Sequence, residues 1–141
     1  MLNIPRILLS IGWNQRPLTW DDFEALCDYL GIEVQRVSMI TPGMYFLCRD
    51  RPIISLSTKL YGVRLWLVAW HELAHHLLHA PGLRCYSSMS VSKCEAEAEF
   101  IGHYSILDEN TLTGIISRGD LHDYPRDVLK RRLRMVDRYC C

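Results

Sequence analysis

Apolar residues recur at helical spacing early in the chain: Phe23, Leu26, Cys27 and Leu30 share one face. Thr19 stands before them as an N-cap, Asp21, Asp22 and Glu24 place negative charge in the first turn, and Gly31 follows where a helix stops. A period nearer two over Ile32–Val37 predicts a strand. After the Thr41-Pro42-Gly43 turn, Met44–Cys48 and Ile53–Ser57 read as two short strands, with Arg49-Asp50-Arg51-Pro52 as the loop of a hairpin. Val63–His79 is apolar and long enough for a buried helix, stopped by Ala80-Pro81-Gly82. Leu83–Val91 reads as a serine-rich loop and Ser92–Leu107 as a further helix. A polar, glycine-punctuated stretch then runs to about Pro125, before a basic helix over Arg126–Tyr139. Strands do not alternate with crossover helices, so the expected class is α+β, with a short antiparallel sheet packed on the helices that follow it.

Composition adds bounds. With 141 residues the chain suits one domain spanning 1–141 and can bury a core without staples. Sixteen basic residues balance sixteen acidic ones, which argues against a dedicated nucleic-acid binder. The last helix is locally basic through Arg126, Lys130, Arg131, Arg132, Arg134 and Arg138. It reads as a solvated face, with Leu129, Leu133, Val136 and Tyr139 turned inward. No apolar run reaches the roughly 20 residues needed to span a bilayer, and the N-terminal Ile7–Ile11 run lacks the marks of a signal peptide. None of the six cysteines forms a Cys-x-x-Cys pair. A cytoplasmic protein with free thiols is expected, leaving the terminal Cys140-Cys141 pair without a role.

The chemistry concentrates in His71-Glu72-Leu73-Ala74-His75, an H-E-x-x-H pattern. Residues four apart on a helix lie roughly 40° apart around its axis, so His71 and His75 can present two imidazole nitrogens to one ion. Glu72 stands beside them, within reach of a water on that ion, which is the geometry of a hydrolytic zinc site with Glu72 as general base. The helix around the motif is apolar on both flanks, and burying these groups without pairing or metal is costly.

Such a site needs a third protein ligand. The metzincin continuation is excluded, because it requires glycine at 78 and histidine at 81 where this chain has Leu78 and Pro81. The segment Cys94-Glu95-Ala96-Glu97-Ala98-Glu99 offers the other common solution, a glutamate from a following helix with an acidic residue four positions on. Glu95 is the candidate ligand, and Glu99 a candidate to hydrogen-bond a ligand histidine and fix its tautomer. Two other readings stand beside this: Glu97 as the ligand, or Ser92 and Glu95 as a capping box. His79 reads as a helix-end histidine facing the dipole, His103 as a partly buried structural residue and His122 as a loop residue. Tyr61, Tyr86, Tyr104 and Tyr124 are candidates to stabilise an oxyanion.

These features together resemble the ImmA/IrrE metallopeptidase family. The resemblance runs through Gly43–Leu56 as the hairpin, Arg64–Trp70 as the apolar lead-in, the active-site stretch from His71 to His79 and the glutamate helix Glu95–Gly102, and is strongest over residues 43–107. The chain departs from the family at Glu99, where a shorter Asn or Asp is usual, and in lacking a Leu-Leu-x-Pro after the glutamate helix. The resemblance implies a small zincin fold, a gluzincin-like peptidase mechanism and a protein substrate, with helix-turn-helix repressors as the class that family members cleave.

Two function classes are therefore expected to compete. One is a zinc endopeptidase with His71, His75 and Glu95 as ligands. The other is a non-catalytic, zinc-containing regulatory or protein-interaction module, whose structural zinc would be closed by a fourth donor such as Cys85 or Cys94.

Overall fold

The structure, a computed structural model, describes residues 2–79, 88–119 and 123–139. Its elements run α1 (Arg6–Ser10), α2 (Trp20–Leu30), β1 (Glu33–Val37), β2 (Gly43–Cys48), β3 (Arg51–Ser57), α3 (Gly62–His79), α4 (Ser88–Ile106), α5 (Glu109–Arg118) and α6 (Arg126–Tyr139). This is an α+β arrangement. Helix α2 is bounded as its sequence requires. Thr19 Oγ1 accepts from the Asp22 backbone N–H at 3.2 Å and the Asp22 carboxylate accepts from the Thr19 N–H at 2.8 Å, a reciprocal cap. Gly31 closes the helix in the left-handed region at φ 70°.

The sheet has the order β1-β3-β2 and is mixed rather than antiparallel as expected. Strands β2 and β3 form the antiparallel hairpin, but β1 joins the far side of β3 in parallel. The hairpin turn is only two residues long. Arg49 and Asp50 both have positive φ, 52° and 66°, which matches the twist of the flanking strands. This tight turn occupies one side of β3 with β2 and leaves the other side for β1. Pro52, expected in the loop, belongs to β3 and pairs with Leu47. It is tolerated because β1 begins pairing only at Ile53, so no neighbour on that side needs its missing N–H.

Helix α3 carries two faces. Ala69, Trp70, Leu73 and Ala74 are fully buried in the core, where Trp70 meets Phe23 edge to face at 5.8 Å. Residues 71, 72, 75 and 79 lie roughly on the opposite side of the same helix. Helix α4 packs antiparallel on α3. Its Gly102 sits so close that a Cβ there would lie 3.2 Å from the His71 backbone nitrogen and 3.3 Å from the Leu67 carbonyl. The N-terminal segment braces α4 from behind: the Trp13 indole donates to the Ile101 carbonyl at 3.2 Å, and Trp13 stacks on Tyr104 at 5.7 Å.

Three regions differ from expectation. The five-residue α1 was not anticipated. Ser88–Val91 is helical rather than loop, so Ser92 and Glu95 lie inside α4 and the capping-box reading of Glu95 falls. The stretch after α4 contains α5, capped by Asp108 Oδ2 accepting from the Thr111 N–H at 3.2 Å and ended by Gly119 at φ 67°. On α6, Leu133 is 41% exposed and Arg132 is buried instead. Arg132 donates from Nε to the Leu107 carbonyl at 2.7 Å and from Nη2 to Glu109 at 3.0 Å, and lies 3.5 Å over the Tyr104 ring.

Enlarging Gly102 should force α3 and α4 apart. Gly102→Leu is expected to lower stability by a net ~1 kcal/mol or more, because overpacking of about 1–3 kcal/mol outweighs a helix-propensity gain below about 1 kcal/mol. Urea unfolding checks this; unchanged stability would show that the close approach does not constrain the helices.

Candidate metal centre

The close packing of α4 on α3 brings Glu95 over the two histidines. Glu95 Oε2 lies 3.0 Å from His71 Nε2 and Glu95 Oε1 lies 3.0 Å from His75 Nε2. The imidazole rings are 5.0 Å apart at 74°. One ligand atom from each of these residues falls within 4.8 Å of the others, a separation that a single ion can bridge. The donor chemistry fits zinc, which takes imidazole nitrogen and carboxylate oxygen readily. His75 is held neutral, its pKa lowered to about 4 by burial and by the neighbouring His71, so it offers a lone pair rather than a charge at neutral pH.

Glu72 sits beside this triad, 8% exposed. Burial, reinforced by the charge of Glu95, pushes its carboxyl up to about 7. The start of β2 presses on it: a Cβ at Gly43 would lie 2.6 Å from Val68 Cγ1 and 3.2 Å from Glu72 Cγ, so only glycine lets the strand reach the helix here. Two cavities meet at Glu72 and Glu95. One, of about 600 Å³, runs between the start of β2, α3, α4 and α6, with Pro42, Leu67, Val68, His103 and Val128 in its walls. The other, of about 320 Å³, lies along β2 and includes Met44, Tyr45, His75 and His79. Together they form a groove that passes the triad and runs along β2, an edge strand of the sheet among the described residues.

The other candidates distribute as follows. Glu97 does not face the triad; its Oε1 is 3.2 Å from His79 Nε2. Glu99, expected to hold a ligand histidine, turns its carboxylate to Arg131 on α6 at 3.3 Å. One turn of helix separates Glu99 from Glu95, and α6 supplies a guanidinium where Glu99 emerges into the larger cavity. His79 ends α3, as expected, and is buried there, with its Nδ1 3.1 Å from His75 Nδ1. His103 is buried too and donates from Nδ1 to the Glu99 carbonyl at 2.8 Å. Tyr61 is 84% exposed, Tyr104 lies under Arg132, and the Tyr124 hydroxyl donates to the Ile106 carbonyl at 3.1 Å. Tyr45, which the sequence did not single out, lies 2.8 Å from His76 Nδ1 and lines the smaller cavity. Its only signal was its place two residues after Gly43, on the same face of β2. Tyr86, Cys85, His122, Cys140 and Cys141 fall outside the described residues.

The cysteines depart from the expected free thiols. Cys27 and Cys48 are free, but Cys94 is disulfide-bonded. His79, Cys94 and Glu97 also bring ligand atoms within 4.8 Å of one another, yet the sulfur of that group is committed to the disulfide. Among the described residues no helix is long and apolar enough to cross a membrane. Of the basic run on α6, Arg132 is buried and Arg131 pairs with Glu99, while Arg126, Lys130 and Arg134 are exposed, as expected of a solvated face. No family model, curated protein or solved structure matches the chain.

Burial lowers the pKa of His103 to about 4 from 6.5. The unfolded chain therefore takes up this proton before the folded one does. The stabilising contribution is complete above pH 6.5 and is lost as pH falls toward 4. His75 acts in the same direction, whereas Glu72, raised from 4.5 to about 7, contributes below pH 4.5 and loses that contribution as pH rises to 7. His103→Asn, which keeps a donor for the Glu99 carbonyl, is expected to flatten the loss of stability of the metal-free protein between pH 6.5 and 4.5 by about 1 kcal/mol per pH unit. Urea unfolding at the two pH values checks it; an unaltered acid slope would mean that His103 does not stay neutral in the fold.

Proposed function

We propose that the protein is a zinc-dependent endopeptidase that hydrolyses a peptide bond in another protein, within a zincin-like fold. The observation that carries this reading is the convergence of His71, His75 and Glu95 beside a buried Glu72 in an open groove. A groove with an exit on each side of the catalytic residues suits a chain that passes through. The outer position of β2 among the described strands suits an extended segment added as a further strand, which would fix the backbone through main-chain hydrogen bonds. The resemblance to ImmA/IrrE peptidases supports a regulatory protein, in particular a helix-turn-helix repressor, as the substrate class.

In this reading His71, His75 and Glu95 hold the ion through Nε2, Nε2 and a carboxylate oxygen. A zinc ion so held supplies Lewis acidity, bringing the pKa of a water close to neutrality. Glu72 accepts the proton of the attacking water. Its raised proton affinity suits it to keep that proton and then deliver it to the departing amine. The alternative of a closed structural zinc loses one of its donors, because Cys94 is in a disulfide.

Protein purified without added metal is expected to carry one zinc per chain by elemental analysis, and Glu95→Ala to lose it. Glu72→Gln is expected to retain the zinc while cleavage of a co-expressed helix-turn-helix repressor, or of an unfolded protein, falls by about 10²-fold or more. Undiminished cleavage by Glu72→Gln would overturn the mechanism. Zinc retained in full by Glu95→Ala would overturn the ligand set.

A further inference from the structure

Resting on the metal centre and groove proposed above, we propose that Arg131 binds the substrate, donating to a main-chain carbonyl of the segment that enters the larger cavity, and that Glu99 is a positioning residue which holds the guanidinium there. The groove changes character on the two sides of the triad. Along the smaller cavity β2 is an edge strand among the described residues, so an extended segment there can pair with strand backbone. Strand β2 starts at Gly43, and beyond it the larger cavity is walled in part by Pro42, Leu67, Val68 and Val128, whose side chains carry no donor. A peptide carbonyl that moves between these walls gives up water, and without a new donor it is left unpaired at a cost in free energy.

Two guanidiniums line that cavity. Arg64 commits both of its terminal nitrogens to Asp127, at 2.9 and 2.7 Å. Arg131 meets Glu99 Oε2 through Nε at 3.3 Å, and among the described residues its terminal nitrogens have no partner. A guanidinium is a rigid fork of five N–H donors with no acceptor, so the groups on Nη1 and Nη2 are available to a carbonyl oxygen. The Arg131 side chain is 62% exposed, and an ion pair so open adds little to stability. What the pair supplies is direction. Glu99 stands one turn from Glu95, about 6 Å along α4, and draws Arg131 across from α6 to that point. An extended chain advances about 3.3 Å per residue. With the scissile carbonyl at the ion, the carbonyl one or two residues along comes to the guanidinium.

The test is equilibrium binding of three probes to the zinc-loaded protein. Acetohydroxamate reaches only the ion. Two alanine-based peptide hydroxamates extend the main chain from the chelating group, one toward the N-terminal side and one toward the C-terminal side, and offer Arg131 no polar side chain. Arg131→Ala is expected to retain its zinc and its affinity for acetohydroxamate, and to bind one of the two peptide hydroxamates about 10-fold more weakly. Arg131→Lys, which keeps a donor but not the fork, is expected to recover part of that loss. Glu99→Gln is expected to weaken the same probe about 3-fold, and to have no further effect when combined with Arg131→Ala. Unchanged affinity for both peptide hydroxamates in Arg131→Ala would overturn the proposal and leave the metal centre intact. An equal loss for acetohydroxamate would overturn it too, since that probe does not extend to Arg131. So would wild-type protein that binds the peptide hydroxamates no more tightly than acetohydroxamate, a result that needs no variant to fold. Wild-type protein that takes up neither zinc nor acetohydroxamate would overturn this proposal and the metal reading together.

Discussion

The contact between α3 and α4 is the constraint on which the site depends. Neither helix holds three ligands alone. Helix α3 provides two imidazoles through the four-residue spacing of His71 and His75, and the third donor has to arrive from outside at a fixed height. Gly102 permits that height, because the absence of a side chain lets the α4 backbone come against Leu67 and His71. Seven residues before it, nearly two turns along the helix, Glu95 then falls over both imidazoles. The brace behind α4, with Trp13 on Ile101 and Tyr104, holds the helix down on this contact.

The same packing concentrates polar groups in a place that would otherwise be expensive to fill. His75, His79 and Glu72 are all largely removed from water beside an apolar core that contains Trp70 and Leu73. Burial raises the carboxyl of Glu72 to about 7 and lowers the imidazole of His75 to about 4, so around pH 7 His75 is neutral and Glu72 is about half protonated. Opposed shifts of two adjacent groups beside a groove support the proposed catalytic reading. Surface pairs elsewhere in the protein, such as Arg64 with Asp127, are exposed and join groups that stay charged.

Much of this was legible in the sequence, and the gaps have physical reasons. Helix α2 was readable because Thr19, Asp22 and Gly31 act locally. The juxtaposition of His71 and His75 was readable because helical spacing alone brings them together. Glu95 could be preferred but not separated from Glu97, since both lie on one helix and only its rotation against α3 decides. Glu99 was assigned to a histidine because the spacing allowed it; α6 instead supplies Arg131, a partner remote in sequence. His79 was read as a helix-end histidine facing the dipole; its contact with Glu97 on α4 depends on packing that is remote in sequence. The parallel β1–β3 pairing depends on a long-range choice that follows only once the two-residue turn at Arg49 and Asp50 has fixed the hairpin. Helix α5 is the exception, for its cap at Asp108 and its stop at Gly119 were present in the sequence and its glycine and polar residues were read as loop.

In the proposed site, two imidazoles and one carboxylate from α3 and α4 would meet at a single ion with a position left open for water. X-ray absorption at the zinc edge, on protein reconstituted with one equivalent of the metal, tests this most directly. Nitrogen and oxygen neighbours at about 2.0–2.2 Å are expected, with multiple scattering from two imidazoles and no sulfur. A sulfur shell at about 2.3 Å would contradict it and assign the metal to a closed structural site instead.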